Sequence, residues 1–285
     1  MIERIGVVGA GVMGSGIAQM FAEQGGTVLL WDLDSDRLEK GLSQIRMRLK
    51  RGVEKQQRTP EQSDRIFSRI IPAPALHSFG EVQLAVEAVT ENLKIKQRVL
   101  ADLSAVIPGT AIAASNTSSL SIEELSRAVA GPQRFLGLHF FNPPTRLELV
   151  EVVPAARTSH DVLREARAFL RACGKTPVVV KDTPGFIVNR LLLLMINEAA
   201  RMLDEGVATA EDIDAAMRLG ALHPVGPLAL ADLIGLDTCT SILNVFQAKL
   251  GASSYEPAHS LHTLVSEGRL GRKSGGGFFA DEAGG

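Results

Sequence analysis

Glu151 interrupts an otherwise apolar face. In Leu147-Glu148-Leu149-Val150-Glu151-Val152-Val153, strand alternation puts Leu147, Leu149, Glu151 and Val153 on one side. A buried carboxylate without a partner is costly, so Glu151 calls for one. His139 ends the preceding apolar run, Phe135-Leu136-Gly137-Leu138-His139. A chain reversal after Asn142-Pro143-Pro144 brings it against Glu151. A carboxylate that orients an imidazole and stabilises its charged form is what a general base needs. Spacing alone equally allows a structural His–Glu pair or an unrelated glutamate. Asn189 poses the same question on a helix, since Phe186, Asn189, Leu193, Ile196 and Ala200 share one face at steps of three and four. A buried amide wants hydrogen bonds, and a helix-packing contact explains it as readily as a ligand does.

A second set of residues suits a phosphate-bearing ligand. Gly9-Ala10-Gly11-Val12-Met13-Gly14 matches GxGxxG, follows an apolar strand and opens a helix. Gly9 permits a tight turn, Gly11 lets backbone approach a pyrophosphate, and Gly14 lets helix and strand pack closely. The next strand ends at Asp32, whose carboxylate can accept hydrogen bonds from a ribose and would repel a 2′-phosphate. NAD is therefore expected over NADP, although the glycine pattern alone also serves FAD.

Ser115-Asn116-Thr117-Ser118-Ser119 follows the apolar run Thr110–Ala114, where ligands of open parallel sheets bind. Ser121 with Glu124 makes a capping box, which leaves Ser118 unexplained. The basic cluster Arg46, Arg48, Lys50, Arg51, Lys55, Arg58 is either a solvated helix face or a contact for a phosphorylated substrate.

The elements that must position these groups alternate. Strand 4–8, helix Val12 to Gln24 and strand Val28 to Asp32 form a βαβ unit. An inserted helical pair covers about 36–68, divided at Thr59-Pro60, where Thr59 can cap. Strand Leu84–Val89, helix Lys94–Val106, strands Thr110–Ala114, Phe135–His139 and Leu147–Val153, helix Val162–Ala172 and strand Pro177–Lys181 follow. At Asp182-Thr183-Pro184-Gly185 the pattern changes, and Pro184 suits the first turn of a helix capped by Asp182 or Thr183. Beyond it the period is helical, roughly 186–205, 209–219 and 227–249, with no further strand. The expectation is an α/β Rossmann-like dinucleotide-binding domain, 1–183, followed by an all-α C-terminal domain, 184–285.

Composition sets the outer bounds. The chain has 285 residues, 45% hydrophobic and 22% charged, with a net charge of -2, so no nucleic acid or anionic membrane is expected as a partner. Cys173 and Cys239 lie in no CxxC pair and suggest idle thiols, with no disulfide or metal site. The run Ile5–Val8 is too short for a signal peptide, and Leu191 to Ile196 is far short of a membrane span. A cytoplasmic protein is expected.

The combined motifs are similar to those of a known family. GVVGAGVMGSGIAQMFA (6–22), ENLKIK (91–96), ASNTSSLSI (114–122), GLHFFNPP (137–144), LVEVV (149–153), DTPGFIVNR (182–190), EDIDAAMRLG (211–220), HPVGPLALADLIGLD (223–237) and GRKSGGGFF (271–279) resemble the L-3-hydroxyacyl-CoA dehydrogenases, in particular the short bacterial 3-hydroxybutyryl-CoA dehydrogenases. The resemblance covers nearly the full length. It implies His139 as general acid or base, Glu151 as its orienting partner, and Ser118 and Asn189 at the reacting end of the substrate. It adds Glu91, Lys96, Ser118, Asn142 and Lys273 to the NAD site of the glycine turn. Arg48 and Lys55 become candidates for the coenzyme A part of an acyl-CoA thioester. A helical domain that binds substrate and forms a homodimer is also implied, with the active site in the cleft between the domains. The chain departs from the family at Glu148, where lysine is usual, at Glu256, where arginine is usual, and at Gly277-Phe278-Phe279-Ala280 in place of GFYxY. A dehydrogenase of another hydroxy acid, of a sugar acid or of a dicarboxylic acyl-CoA shares the N-terminal pattern. A non-catalytic nucleotide-binding protein has no need of His139, Glu151, Ser118 and Asn189 together.

Overall fold

The computed structural model describes residues 2–280. By internal contacts the chain separates into two compact units, Met1–Thr183 and Pro184–Gly285.

The first unit is an α/β layer structure. It opens with β1 (Arg4–Val8), α1 (Val12–Glu23) and β2 (Thr27–Trp31). Two helices follow, α2 (Ser35–Glu54) and α3 (Pro60–Ser68). Asp34 caps α2 by accepting from the backbone of Asp36 and Arg37, and Thr59 with Gln62 forms a reciprocal capping box ahead of Pro60. The chain continues through β3 (Ile70–Pro72), β4 (Leu84–Glu87), α4 (Leu93–Val106), β5 (Ile112–Ser115), α5 (Ile122–Ser126), β6 (Phe135–Phe140), β7 (Leu149–Pro154), α6 (His160–Ala172) and β8 (Thr176–Val179). The eight strands form one sheet in the order β3-β2-β1-β4-β5-β6-β7-β8. Every pair is parallel except β6 with β7. Strand order reverses at β1, whose neighbours are β2 and β4, so the crevice of a doubly wound sheet opens beyond the carboxyl ends of β1 and β4. The sheet is covered by α1, α2 and α6, with Ile17, Phe21, Ile45, Val86, Phe140, Val152 and Leu170 among the buried side chains of one core.

The second unit is helical: α7 (Val188–Asp204), α8 (Ala210–Gly220), α9 (Pro227–Ile234), α10 (Leu236–Leu250) and α11 (His259–Ser266). Its own core gathers Leu193, Ile196, Leu228, Leu236, Leu243, Phe246 and Leu261. Among the described residues no single helix is long and apolar enough to cross a membrane.

Several boundaries differ from expectation for identifiable reasons. The helix expected from 186 begins at Val188, because Gly185 (φ 74°) and Phe186 (φ 51°) take left-handed backbone. Asp182 does not cap it. Its Oδ2 accepts instead from Ser121 Oγ (2.8 Å) and the Glu123 amide (2.9 Å), at the start of α5. The single helix expected over 227–249 is two helices bent by 99°, broken at Gly235 (φ 101°). The strand β3, the helix α11 and two isolated bridges, Gly271 to Gly276 and Gly276 to Ala280, are additional.

Candidate active site

The glycine turn follows directly on β1. Gly9 has φ 100° and donates its N–H to the Trp31 carbonyl (2.7 Å). A Cβ there would lie 2.7 Å from the Ala88 carbonyl oxygen of the neighbouring strand's exit. A Cβ on Gly14 would run into the Gly9 carbonyl oxygen, so α1 can pack this closely on the turn only with glycine. Gly11 is different: it is the N-cap of α1, no side chain caps the helix, and a Cβ would meet nothing within 4 Å. The N-terminus of α1 thus has no side-chain cap and open space at Gly11, which suits an anionic pyrophosphate. Val12 beside them is exposed and Met13 half-buried. Asp32 stands just past β2, with Oδ2 accepting from the Ala10 amide (2.8 Å) and Oδ1 from the Asp34 amide (3.1 Å). The carboxylate is thereby fixed against the turn. These three features fit a dinucleotide bound at the crevice of the sheet.

A buried ionic cluster lies at the adjoining ends of β4 and β5. Lys96 Nζ donates to Glu87 Oε1 (2.8 Å) and the Val89 carbonyl (3.2 Å), and Glu91 Oε2 lies 3.4 Å away. Glu91 Oε1 accepts from Thr117 Oγ1 (2.6 Å), from the amide and hydroxyl of Ser118 (2.9 and 3.2 Å) and from those of Ser119 (both 3.1 Å). Burial alone would raise the Glu91 carboxyl. The Lys96 charge and the hydrogen bonds from Thr117, Ser118 and Ser119 outweigh it and hold the group below the usual carboxylate range. Ser118 is half-buried. Asn116, its neighbour, accepts the Phe140 amide on Oδ1 (2.9 Å), which joins this loop to the end of β6.

His139 and Glu151 face one another across β6 and β7. They are direct partners in the antiparallel register. His139 Nδ1 lies 2.7 Å from Glu151 Oε2, and the two residues are 6% and 1% exposed. An ionised carboxylate only accepts, so a neutral imidazole bonded to one through Nδ1 carries its hydrogen there and its lone pair on Nε2. The Phe141 ring packs at 4.4 Å between centroids. The turn joining the two strands is strapped down by Lys175, whose Nζ donates to the carbonyls of Pro144 (2.6 Å) and Leu147 (2.9 Å). Asn142 lies on that turn and is exposed.

The remaining candidates occupy defined places. Arg48 is held on α1, with Nε donating to Gln19 Oε1 (2.7 Å) and Nη2 to Ser15 Oγ (3.2 Å), while Lys55 is exposed at the end of α2. Arg46 stacks over Phe67, Lys50 pairs with Glu54 and Arg58 with Glu23, so the basic cluster is largely engaged within the fold. In the second unit Asn189 is half-buried in the first turn of α7. Lys273 Nζ pairs with Asp237 Oδ1 (2.5 Å).

Residues 4–183 match the family model of the 3-hydroxyacyl-CoA dehydrogenase NAD binding domain, and residues 185–281 match that of the 3-hydroxyacyl-CoA dehydrogenase C-terminal domain. The chain belongs to the 3-hydroxyacyl-CoA dehydrogenase family. It is 44% identical to a 3-hydroxybutyryl-CoA dehydrogenase of Bradyrhizobium diazoefficiens over 98% of this chain and 95% of that one. It is 39% identical to the 3-hydroxyadipyl-CoA dehydrogenase of Escherichia coli over 98% of this chain and 59% of that one. The crystal structure of (S)-3-hydroxybutyryl-CoA dehydrogenase from Ralstonia eutropha superposes with a TM-score of 0.95 at 38% identity, covering 98% of this chain and 99% of that one. The chain is thus an NAD-dependent dehydrogenase with a Rossmann-like first domain and a helical second one.

Two polar residues of this dehydrogenase escaped sequence reasoning. Glu87 ends the apolar run Leu84-Ala85-Val86 and is fully buried. It carries the same signal as Glu151, a carboxylate where burial is expected. Asn197 is the fully buried amide of α7, and it clasps a loop of its own unit through the carbonyls of Ser254 and Glu256 and the amide of Ala258.

Proposed function

We propose that the enzyme interconverts (S)-3-hydroxyacyl-CoA and 3-ketoacyl-CoA, with 3-hydroxybutyryl-CoA as its substrate. The observation that carries this reading is the buried His139–Glu151 pair at 2.7 Å within the family of 3-hydroxyacyl-CoA dehydrogenases. NAD supplies the hydride acceptor when bound, held by the turn Gly9, Gly11, Val12, Met13 and Gly14 and by Asp32, Glu91, Lys96, Ser118, Asn142 and Lys273. In the oxidative direction neutral His139 removes the 3-hydroxyl proton at Nε2 while the C3–H bond breaks with its electron pair. Glu151 stabilises the imidazolium through Nδ1–H, and in the reductive direction His139 returns the proton to the developing alkoxide. Ser118 and Asn189 hydrogen-bond the oxygens of the acyl group and so orient it and stabilise charge. Arg48 and Lys55 contact coenzyme A.

The enzyme works as a cytoplasmic homodimer through its second unit. Support comes from Leu219 and Leu222, 78% and 85% exposed, near the end of α8, where large apolar side chains favour a partner surface. Light scattering should give twice the 30.5 kDa of the chain.

The deciding assay is the loss of NADH absorbance with acetoacetyl-CoA, which should be rapid and should fail with NADPH. Equal turnover of free acetoacetate would overturn the thioester reading, and faster turnover of 3-oxoadipyl-CoA would move the substrate to the dicarboxylic class.

A further inference from the structure

Glu87 has no place in the chemistry described above, yet its environment is elaborate. It ends β4, beside β1 on one flank and opposite Ser115 of β5 on the other. It is fully buried, as are Lys96 and Ser115. Its Oε1 accepts from Lys96 Nζ (2.8 Å) and the Val89 amide (2.7 Å), and its Oε2 accepts from Ser115 Oγ (2.6 Å). Its backbone carbonyl accepts from the Asn116 amide (2.7 Å).

The cluster has a direction. One ammonium stands between two carboxylates, of which one is wholly enclosed and the other partly open. A buried ammonium is stable only when its charge is matched and its hydrogens are satisfied. Glu91 alone, at 3.4 Å and with its other oxygen committed to Thr117, Ser118 and Ser119, meets that need poorly. Glu87 completes it. With Lys96 held in place beside Glu91 Oε2, Glu91 Oε1 gathers the five donors of the Thr117–Ser119 loop.

We propose that Glu87 is a positioning residue for Ser118, acting through Lys96 and Glu91 to hold the Thr117–Ser119 loop in its working geometry. This rests on the assignment of Ser118 to the reacting end of the substrate. The carboxylate is fully buried and hydrogen-bonded within the protein. It fixes the ammonium that sets the aim of Glu91, and a small displacement of a group that orients substrate costs up to about a hundredfold in rate.

The test compares Glu87→Gln and Glu87→Asp in the full-length enzyme, reading kcat and KM with acetoacetyl-CoA and the Kd of NADH by fluorescence. The expected result for Glu87→Gln is a kcat lowered by about ten- to a hundredfold, a larger factor than the rise in NADH Kd that follows from disturbing Lys96 and Glu91. Glu87→Asp, which keeps the charge, should recover much of the loss. A defect confined to the NADH Kd would limit Glu87 to supporting the cofactor site and overturn the proposal, as would a wild-type kcat. If Glu87→Gln fails to fold, Glu87→Gln with Lys96→Met removes both buried charges together. The same kcat loss is expected there, and normal kcat overturns the idea. A crystal structure of whichever variant folds gives a readout independent of turnover. Ser118 Oγ should leave Glu91 Oε1, and an unchanged loop refutes the proposal even if acetoacetyl-CoA proves to be the wrong substrate.

Discussion

Glu151 presents Oε2 to His139 Nδ1 at 2.7 Å from the directly opposite position in the β6–β7 pair. The two side chains are therefore held by a ladder of backbone hydrogen bonds rather than by loops. β6 and β7 are the one antiparallel pair in an otherwise parallel sheet. That reversal puts His139 near the carboxyl end of β6, level with the loop after β5, while keeping Glu151 behind it in the core. The imidazole thus has a fixed tautomer and little rotational freedom, which is what an efficient proton acceptor at Nε2 requires.

This arrangement predicts separable effects on chemistry and binding. His139→Gln should lower kcat by about 10²–10⁴-fold, the usual contribution of a positioned acid–base group. Glu151→Gln keeps the shape but loses the charge that stabilises the imidazolium, so it should lower kcat by about 10²-fold. NADH affinity, measured by fluorescence titration, should change little in both. A Glu151→Gln defect appearing only in the KM for NADH would count against the pair as the proton-handling unit.

The glycine turn predicts two opposite outcomes from one added methyl. In Gly14→Ala the new Cβ meets the Gly9 carbonyl oxygen, so helix and turn must separate. Thermal stability should fall by about 1–3 kcal/mol, in the manner of an overpacked contact. In Gly11→Ala the new Cβ meets nothing, and the backbone (φ -66°) already suits alanine. Stability should change by about 1 kcal/mol or less. NADH binding should nevertheless weaken by about tenfold, or roughly 1.4 kcal/mol, because the methyl enters the space before the α1 amides. Calorimetry and NADH titration on both variants check the contrast.

Much of this geometry could be read from local pattern, and the misreadings share a physical cause. Glu151 was conspicuous because a period-two strand leaves a charge on an apolar face. The cap at Thr59 was conspicuous because Pro60 follows it, and the structure adds Gln62 to complete a capping box. Asp182 misled because its partners, Ser121 and Glu123, are some sixty residues distant, and a short polar side chain beside a proline looks like a local cap. Gly235 stands in an apolar run that reads as one helix. Only its positive φ, imposed by tertiary packing, reveals the break. Phe186 was assigned to the helical face of Asn189, yet its left-handed backbone puts it ahead of the helix. The amide wholly enclosed in α7 is Asn197. Glu87 carried a readable signal inside the expected strand Leu84–Val89, but its partners, Lys96 on α4 and Ser115 on β5, meet it only in the fold.

The two cysteines should behave as inert core residues. Burial pushes the Cys173 thiol up to about 11 and the Cys239 thiol up to about 12, the latter helped by the nearby charges of Asp237 and Asp232. Nucleophilic attack proceeds through the thiolate, which is scarce at such values. In native protein at pH 8 a disulfide-exchange reagent should titrate close to no thiol over an hour, and two per chain after denaturation in guanidinium. Rapid modification of one thiol in the native enzyme would show that its unit opens far more readily than its packing implies.

Glu91 gives stability a specific acid dependence. Its folded-state carboxyl lies below the usual range because the Lys96 charge and the donors from Thr117, Ser118 and Ser119 together outweigh burial. A carboxyl with a depressed folded-state value stabilises the native state at pH above its unfolded value, about 4.3. That contribution is lost as the pH falls through the folded value. Glu91→Gln should therefore be less stable than wild type at pH 7. The gap, measured by urea unfolding, should stay constant down to about pH 5 and shrink progressively below it, where the wild-type carboxyl takes up its proton as the chain unfolds. A gap that holds constant down to pH 3 would mean that the glutamine costs stability through shape or hydrogen bonding alone, and that the Lys96–Glu91 charge pair contributes nothing to holding the serine loop.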